Sequence, residues 1–454
     1  MDVPSINRLP PELLVAITTF ITDQSTIFRL ATVCRHWHDA LTEAATLWTS
    51  IDCRSESRTS ILLQRSRSIP ICVTVDCTRY APEAVSLVAN HTHRMRSIDV
   101  TLSPRALEAF RPLLYGLAPI LRTVRMQASN PLTYPGLWYP PYSLFFQGQF
   151  PALRTLYFKG FPFDLAQSAP VITNGLTTLV LDNQQSHHLR DFLEYLEHCK
   201  NLEHLKVDLP GLQGTTLASH TVSLPKLREL ELVSSPPTAL HHLSFPPSTV
   251  LTIKSLAGSY AEGYPLVDVW TKNELLSHVF ESRTIKSARM TVIGHNCIFG
   301  LSGSHLALTV LAHSHLPRTG SFHSTFLDAF QSFPIETTEF FAFAQLPPYE
   351  FTETLRPQSC ARLLTQMPAL KRLTLDITVA PSFIHALEPV DGDLLCPKLR
   401  HFTLIPRANR KLDLQSSLLV LSNRRKERGC PLTCGIGSPT SSDWEQTIRP
   451  QRVV

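Results

Sequence analysis

A phrase of the form apolar-x-x-apolar-x-apolar recurs along this chain, and a motif that returns at a near-constant interval limits the fold more than any local composition does. It stands as MRSIDV at Met95, LRTVRM at Leu121, LRTLYF at Leu153, LTTLVL at Leu176, LEHLKV at Leu202 and LRELEL at Leu227, and returns as LKRLTL at Leu370 and LRHFTL at Leu399. From Met95 to Leu227 successive starts lie 26, 32, 23, 26 and 25 residues apart. A unit of about 20–29 residues cannot bury its apolar face alone and must stack on its neighbours. The closing apolar-x-apolar pair of each phrase spells a short strand whose alternate side chains enter a shared core. The stretch DFLEYLEHCKNL, Asp191 to Leu202, spells the return, with Phe192, Leu193, Leu196 and Cys199 on one helical face. IPICVTVDC, Ile69 to Cys77, alternates Ile71, Val73 and Val75 and is expected to be an earlier rung.

The same alternation sends the intervening side chains the other way. Tyr157, Lys159, His204, Lys206, Asp208, Glu229, Glu231, Arg372 and Asp376 are expected on an exposed strand face. Their signs are mixed, so the face is not matched to a phosphate or an acidic tail. Between about 240 and 360 the phrase weakens. LTIKS at Leu251 and FFAF at Phe340 read as rungs there, separated by long irregular loops. A further loop is expected near 130–150, where four prolines stand among Trp138, Tyr139, Tyr142, Phe145 and Phe146. Beyond Leu421, NRRKERG reads as a solvated helix end, leading into a basic, flexible tail over 423–454.

Composition removes several function classes. Apolar residues make up 43% and charged residues 17%, a globular balance, and the net charge of +5 is scattered rather than gathered into a nucleic-acid-binding surface. No apolar run reaches membrane-spanning length and no charged segment leads into an apolar one at the start, so a cytoplasmic or nuclear protein is expected. The ten cysteines follow no repeated framework, and Cys430 and Cys434 have no second pair at zinc-ribbon spacing. Histidines come in pairs, such as His91 with His93 and His241 with His242, without carboxylate or cysteine at ligand spacing. The phosphate-cradling, nucleophile-elbow and zincin signatures are missing. No catalytic residue, metal or cofactor is expected, and the chain is read as non-catalytic.

The opening is a separate unit. LPPELLVAITTFI, Leu9 to Ile21, places Leu13, Leu14, Ile17, Phe20 and Ile21 at helical spacing, with Pro11 suited to a first turn. A second helical spacing runs through Ile27, Leu30, Val33, Cys34 and Trp37, with Asp23 or Ser25 available as N-cap, and Leu47 and Trp48 close behind. Cys34, on that apolar face, is expected to be an inert buried thiol. So small a helical unit shows more apolar surface than it can bury by itself.

The order Leu9-Pro10, Glu12-Leu13-Leu14, Ile17, Leu30, Val33-Cys34-Arg35, Trp37, Leu47-Trp48 resembles the F-box, with which substrate receptors dock onto the Skp-type adaptor of cullin-RING ubiquitin ligases. The remainder resembles, in pattern only, the divergent leucine-rich-repeat receptors of fungal F-box proteins. The resemblance implies an α/β repeat protein. A helical F-box over 1–50 would precede an irregular leucine-rich-repeat solenoid with a parallel strand ladder over 51–422. It implies adaptor contact through Leu9, Pro10, Leu13, Leu14, Ile17, Leu30, Val33, Cys34, Trp37, Leu47 and Trp48, a protein target held on the repeat surface, and no nucleic acid or membrane partner. The function expected is substrate recognition within an SCF-type ligase, and the alternative is a scaffold working outside the ligase.

Overall fold

The computed structural model describes residues 9–21, 23–76, 80–102, 110–129, 149–160, 175–182, 189–208, 221–233, 240, 242–257, 284–293, 296–313, 333–346, 355–388, 394–406 and 414–436. The chain divides into two compact units, the first built from Met1–Leu205, Gly211–Leu217 and Leu224–Lys226, the second from the rest.

The first unit opens on three short helices, α1 (Pro11–Thr18), α2 (Gln24–Leu30) and α3 (Arg35–Glu43), and a 3-10 turn over Ala45–Trp48. Strands and helices then alternate: β1 (Ser50–Asp52), α4 (Glu56–Arg65), β2 (Ile71–Asp76), α5 (Pro82–Ala89), β3 (Met95–Leu102), α6 (Arg111–Tyr115), β4 (Thr123–Ala128), β5 (Thr155–Lys159), β6 (Thr178–Asp182), α7 (Leu189–Glu197) and β7 (His204–Asp208), whose residues from Lys206 on belong to the second unit. Strands β1 to β7 are neighbours in chain order, and the pairings from β1 to β6 are all parallel. Register aligns the apolar positions into continuous rows. Ile51, Val73, Ile98, Val124, Leu156 and Leu179 form one such row, and Val75, Val100, Met126, Phe158 and Leu181 form the next, all buried.

The recurring phrase has a mechanical cause. Its first leucine closes a tight turn, as in Leu153 N–H to Phe150 O at 3.1 Å and Leu202 N–H to Cys199 O at 3.0 Å, with its side chain fully buried. The residue ahead of the strand and the strand's first residue then share one carbonyl on the preceding rung: Arg154 and Thr155 donate to Arg122 O, and Glu203 and His204 to Thr177 O. The second unit repeats the device, with Lys371 and Arg372 on Glu339 O, and Arg400 and His401 on Lys371 O. Leucine at that turn buries apolar area while its N–H stays satisfied, which is why the phrase survives while the connecting segments vary.

In the second unit β9 (Glu229–Val233), β11 (Val250–Ala257), β14 (Leu306–His313), β13 (Asn296–Gly303), β12 (Ile285–Ile293), β15 (Phe340–Leu346), β16 (Arg372–Asp376), β17 (His401–Ile405) and β18 (Thr433–Ile436) are neighbours in that order. A separate pair joins β8 (Val222–Ser223) to β10 (Leu243–Ser244). Helices α8 (Pro357–Thr365), α9 (Ala380–Leu387) and α10 (Gln415–Glu427) complete it.

Several expectations change here. LTIKS and FFAF are strands, but the interval around them is not loop alone. Strand β13 runs antiparallel to both of its neighbours inside a largely parallel ladder. Its turn into β14 rests on His305 in the left-handed region (φ 57°), and Gly303 precedes it where a Cβ would collide with the Thr284 carbonyl. Where a leucine-rich-repeat solenoid was expected, the structure shows a largely parallel sheet of many strands. The C-terminal boundary also moves: Arg425, placed in the solvated run, is fully buried and donates to Leu395 O at 2.9 Å and Cys396 O at 2.8 Å, while β18 pairs with β17. A guanidinium reaches carbonyls that its own helix cannot, so 423–436 belong to the fold. The 130–148 loop and residues 437–454 lie outside the described residues.

Truncation should separate the two faces of a rung. Leu205→Ala and Leu230→Ala should each cost about 2–5 kcal/mol, because the stacked neighbours cannot close the cavity, whereas Lys206→Ala should cost little. Thermal melts check this, and comparable losses for Leu205→Ala and Lys206→Ala would mean that the strand phase is wrong.

Candidate functional site

Two polar-to-apolar contrasts stand out in the described surface, and the sharper lies on the N-terminal helices. Pro10 stands at the N-cap of α1 and Pro11 at its first position, where a missing N–H costs nothing; Pro10 O accepts from Leu13 and Leu14 N–H at 3.0 and 3.2 Å. Leu14 (1% exposed) turns into a small core with Ile27, Trp37, Leu41, Leu47 and Trp48. Thr18, also buried, is satisfied by donating to Leu14 O at 2.7 Å. Trp48 joins the elements of this core: its indole N–H donates to Leu41 O at 2.8 Å, its ring lies 4.9 Å from Phe28, and the Arg65 guanidinium of α4 stacks 4.5 Å above it. Burial pushes Arg65 down from its ordinary value, as expected for a guanidinium held on rings rather than by a carboxylate.

The opposite side of α1 is apolar and uncovered. Leu13 (51% exposed) and Ile17 (50%) lie four apart on one face, with Phe20 (86%) beyond the helix end and Val33 (58%) on the turn after α2. These four side chains give a module of this size a surface that water opposes.

Of the residues expected to meet an adaptor, Pro10, Leu13, Ile17 and Val33 are exposed, Leu9, Leu30 and Cys34 are half-buried, and Leu14, Trp37, Leu47 and Trp48 are buried. The last four serve the module's own core rather than its surface. Phe20 belongs with the exposed group and was not among the expected site residues, although its position three after Ile17 points to the same stripe. The expected second helix through Ile27 and Trp37 is interrupted at residues 31–34: Asp23 caps α2, accepting from Ser25 and Thr26 N–H and hydroxyls, and Cys34 is extended (φ −159°) as the N-cap residue of α3. Cys34 is therefore a half-buried turn residue and not part of a helix face. The Asp23 carboxyl is held far below the usual range by the Ser25 hydroxyl, then by Thr26.

The strand faces carry the second contrast. Tyr157, Lys159, His204, Lys206, Asp208 and Glu231 are half-exposed, and Glu229 and Arg372 are exposed, as alternation requires. In the first unit Asp99, Arg125, Tyr157 and Val180 share a register row, and Lys159 lies 3.6 Å from Asp182. Burial, then the Asp182 charge, pushes the Tyr157 hydroxyl up. In the second unit Glu231 sits between Lys254 at 2.8 Å and Lys206 at 3.5 Å. Burial alone would raise its carboxyl, but the two ammonium groups outweigh that and hold it below its ordinary value. Asp376 departs from the expected face. It is 3% exposed because it turns back at the strand end to accept from Thr378 N–H at 2.9 Å and from its hydroxyl at 2.6 Å.

Among the described residues no group of three His, Cys, Asp or Glu is placed to hold a metal, no disulfide forms, and no helix is long and apolar enough to cross a membrane. Desolvation pushes the buried thiols of Cys53, Cys199, Cys360 and Cys396 up to about 12, which removes them as nucleophiles.

Residues 6–54 match the F-box-like family, a span that covers α1 to α3, the Trp48 turn and β1. No curated protein gives a significant match to the chain. An F-box-like domain therefore stands at residues 6–54, which supports an F-box protein and implies docking on the Skp-type adaptor of an SCF-type ubiquitin ligase.

Proposed function

We propose that this chain is a substrate-recognition subunit of an SCF-type ligase, with the Leu13–Ile17–Phe20–Val33 stripe seated on the adaptor and a target held on the polar strand face of a divergent leucine-rich-repeat array. The observation that carries this is the uncovered apolar stripe on a domain whose own core is already complete without it. The protein supplies no acid, base or nucleophile. It raises the effective concentration of target lysines near the charged ubiquitin carrier, to the millimolar range for a short tether.

Affinity capture of the full chain with mass spectrometry tests this. Adaptor and cullin should both be recovered, and proximity labelling should yield a set of proteins whose levels rise when Leu13 and Ile17 are both replaced by Asp. Recovery of adaptor without cullin, with those levels unmoved, would favour a scaffold working outside the ligase.

A further inference from the structure

The exposed stripe is assembled from two stretches far apart in sequence, Leu9 to Phe20 and Val33 at the turn into α3. Its first part is poorly anchored by its own backbone. Pro10 and Pro11 have no N–H, and the α1 N-cap makes no side-chain hydrogen bond. The Leu9 carbonyl precedes the helix, so no N–H of α1 satisfies it in the helical pattern. His36, the second residue of α3 and three residues past Val33, reaches it: Nε2 lies 2.9 Å from Leu9 O across 27 residues. A carbonyl oxygen only accepts, so Nε2 carries the proton and Nδ1 faces elsewhere. The bond sets the start of α1 against the first turn of α3, three residues after the exposed Val33.

We propose that His36 is a positioning residue for adaptor docking: it touches no partner but ties the two halves of the docking stripe into one surface. The proposal rests on the docking function above. It differs from a packing role because what matters is a donor at Nε2 and not a ring. A side chain with a donor at similar reach should replace it, and a ring without one should not.

The test uses the full chain with His36→Ala, His36→Phe and His36→Gln, and purified Skp-type adaptor as probe. His36→Ala and His36→Phe should weaken capture about five- to tenfold, the range of one lost hydrogen bond, and His36→Gln should return it to within about twofold. A second readout needs no adaptor: amide exchange at Leu13 and Leu14, whose N–H groups bond to Pro10 O, should quicken in the Ala and Phe variants and recover with Gln. Amide exchange across Ala40–Trp48 reports whether the helical core survives; if Ala loosens that core, the comparison of Phe with Gln decides. Capture and exchange unchanged in His36→Phe, or Gln no better than Ala, would overturn the tie. Failure of the unaltered chain to capture adaptor would instead remove the docking function, and unchanged amide exchange in the variants would still overturn the tie by itself.

Discussion

Replacing Leu13 and Ile17 together by Asp should weaken adaptor capture more than a hundredfold while leaving the thermal melt of the chain within about two degrees of the original. Both side chains are about half exposed, so little folding energy rests on them. On docking, each should contribute about 0.8–1.5 kcal/mol, half the value for complete burial, because half of its surface is already out of water. Two carboxylates in their place would remain charged and unpaired in an apolar contact, which adds a desolvation cost. Isothermal titration with purified adaptor gives the affinity and circular dichroism gives the melt. Capture that persists within a few fold would mean that the stripe is not the docking surface. A collapsed melt would mean that it belongs to the core.

Trp48→Ala should have the opposite signature, with the N-terminal module losing about 3–5 kcal/mol and unfolding before the rest of the first unit. The indole is completely buried and no neighbour is free to fill its volume. Its removal also orphans the Leu41 carbonyl and takes from the Arg65 guanidinium the nearer of the two rings it covers, leaving Phe28. Leu14→Ala should follow the same course at about 2–5 kcal/mol, although Leu14 adjoins Leu13 in sequence. In both variants capture should fail because α1 to α3 are no longer folded. Hydrogen exchange would show the loss confined to residues 11–48 while β2 to β6 stay protected. A variant that melts like the original would show that Trp48 is not the centre of this core. Together with the Leu13 and Ile17 variant, these substitutions separate loss of surface from loss of fold.

That Leu13 and Leu14 answer so differently shows where local pattern stops. Alternation at period two determined from sequence alone which side of each rung enters the core. Leu156, Phe158, Leu205 and Leu230 are buried and Tyr157, Lys159, Lys206 and Glu231 are not, because a strand has only two faces and burial must choose one. The leucine-led phrase likewise determined the rungs, since the turn it closes and the carbonyl shared by the next two residues are local geometry. The N-terminal motif was equally plain in order and type. Which of its apolar residues turn inward was not, because a helix offers one broad apolar arc and only the positions of α3 and Trp48 divide it. The antiparallel strand β13, the burial of Arg425 and Asp376, and the tie between His36 and Leu9 were likewise decided by tertiary structure. Arg425 and His36 depend on partners far along the chain, whereas β13 pairs with the strands next to it in sequence and the Asp376 turn is short-range. Periodicity records how a residue faces its own element, and the partner that meets it is set only when the elements pack.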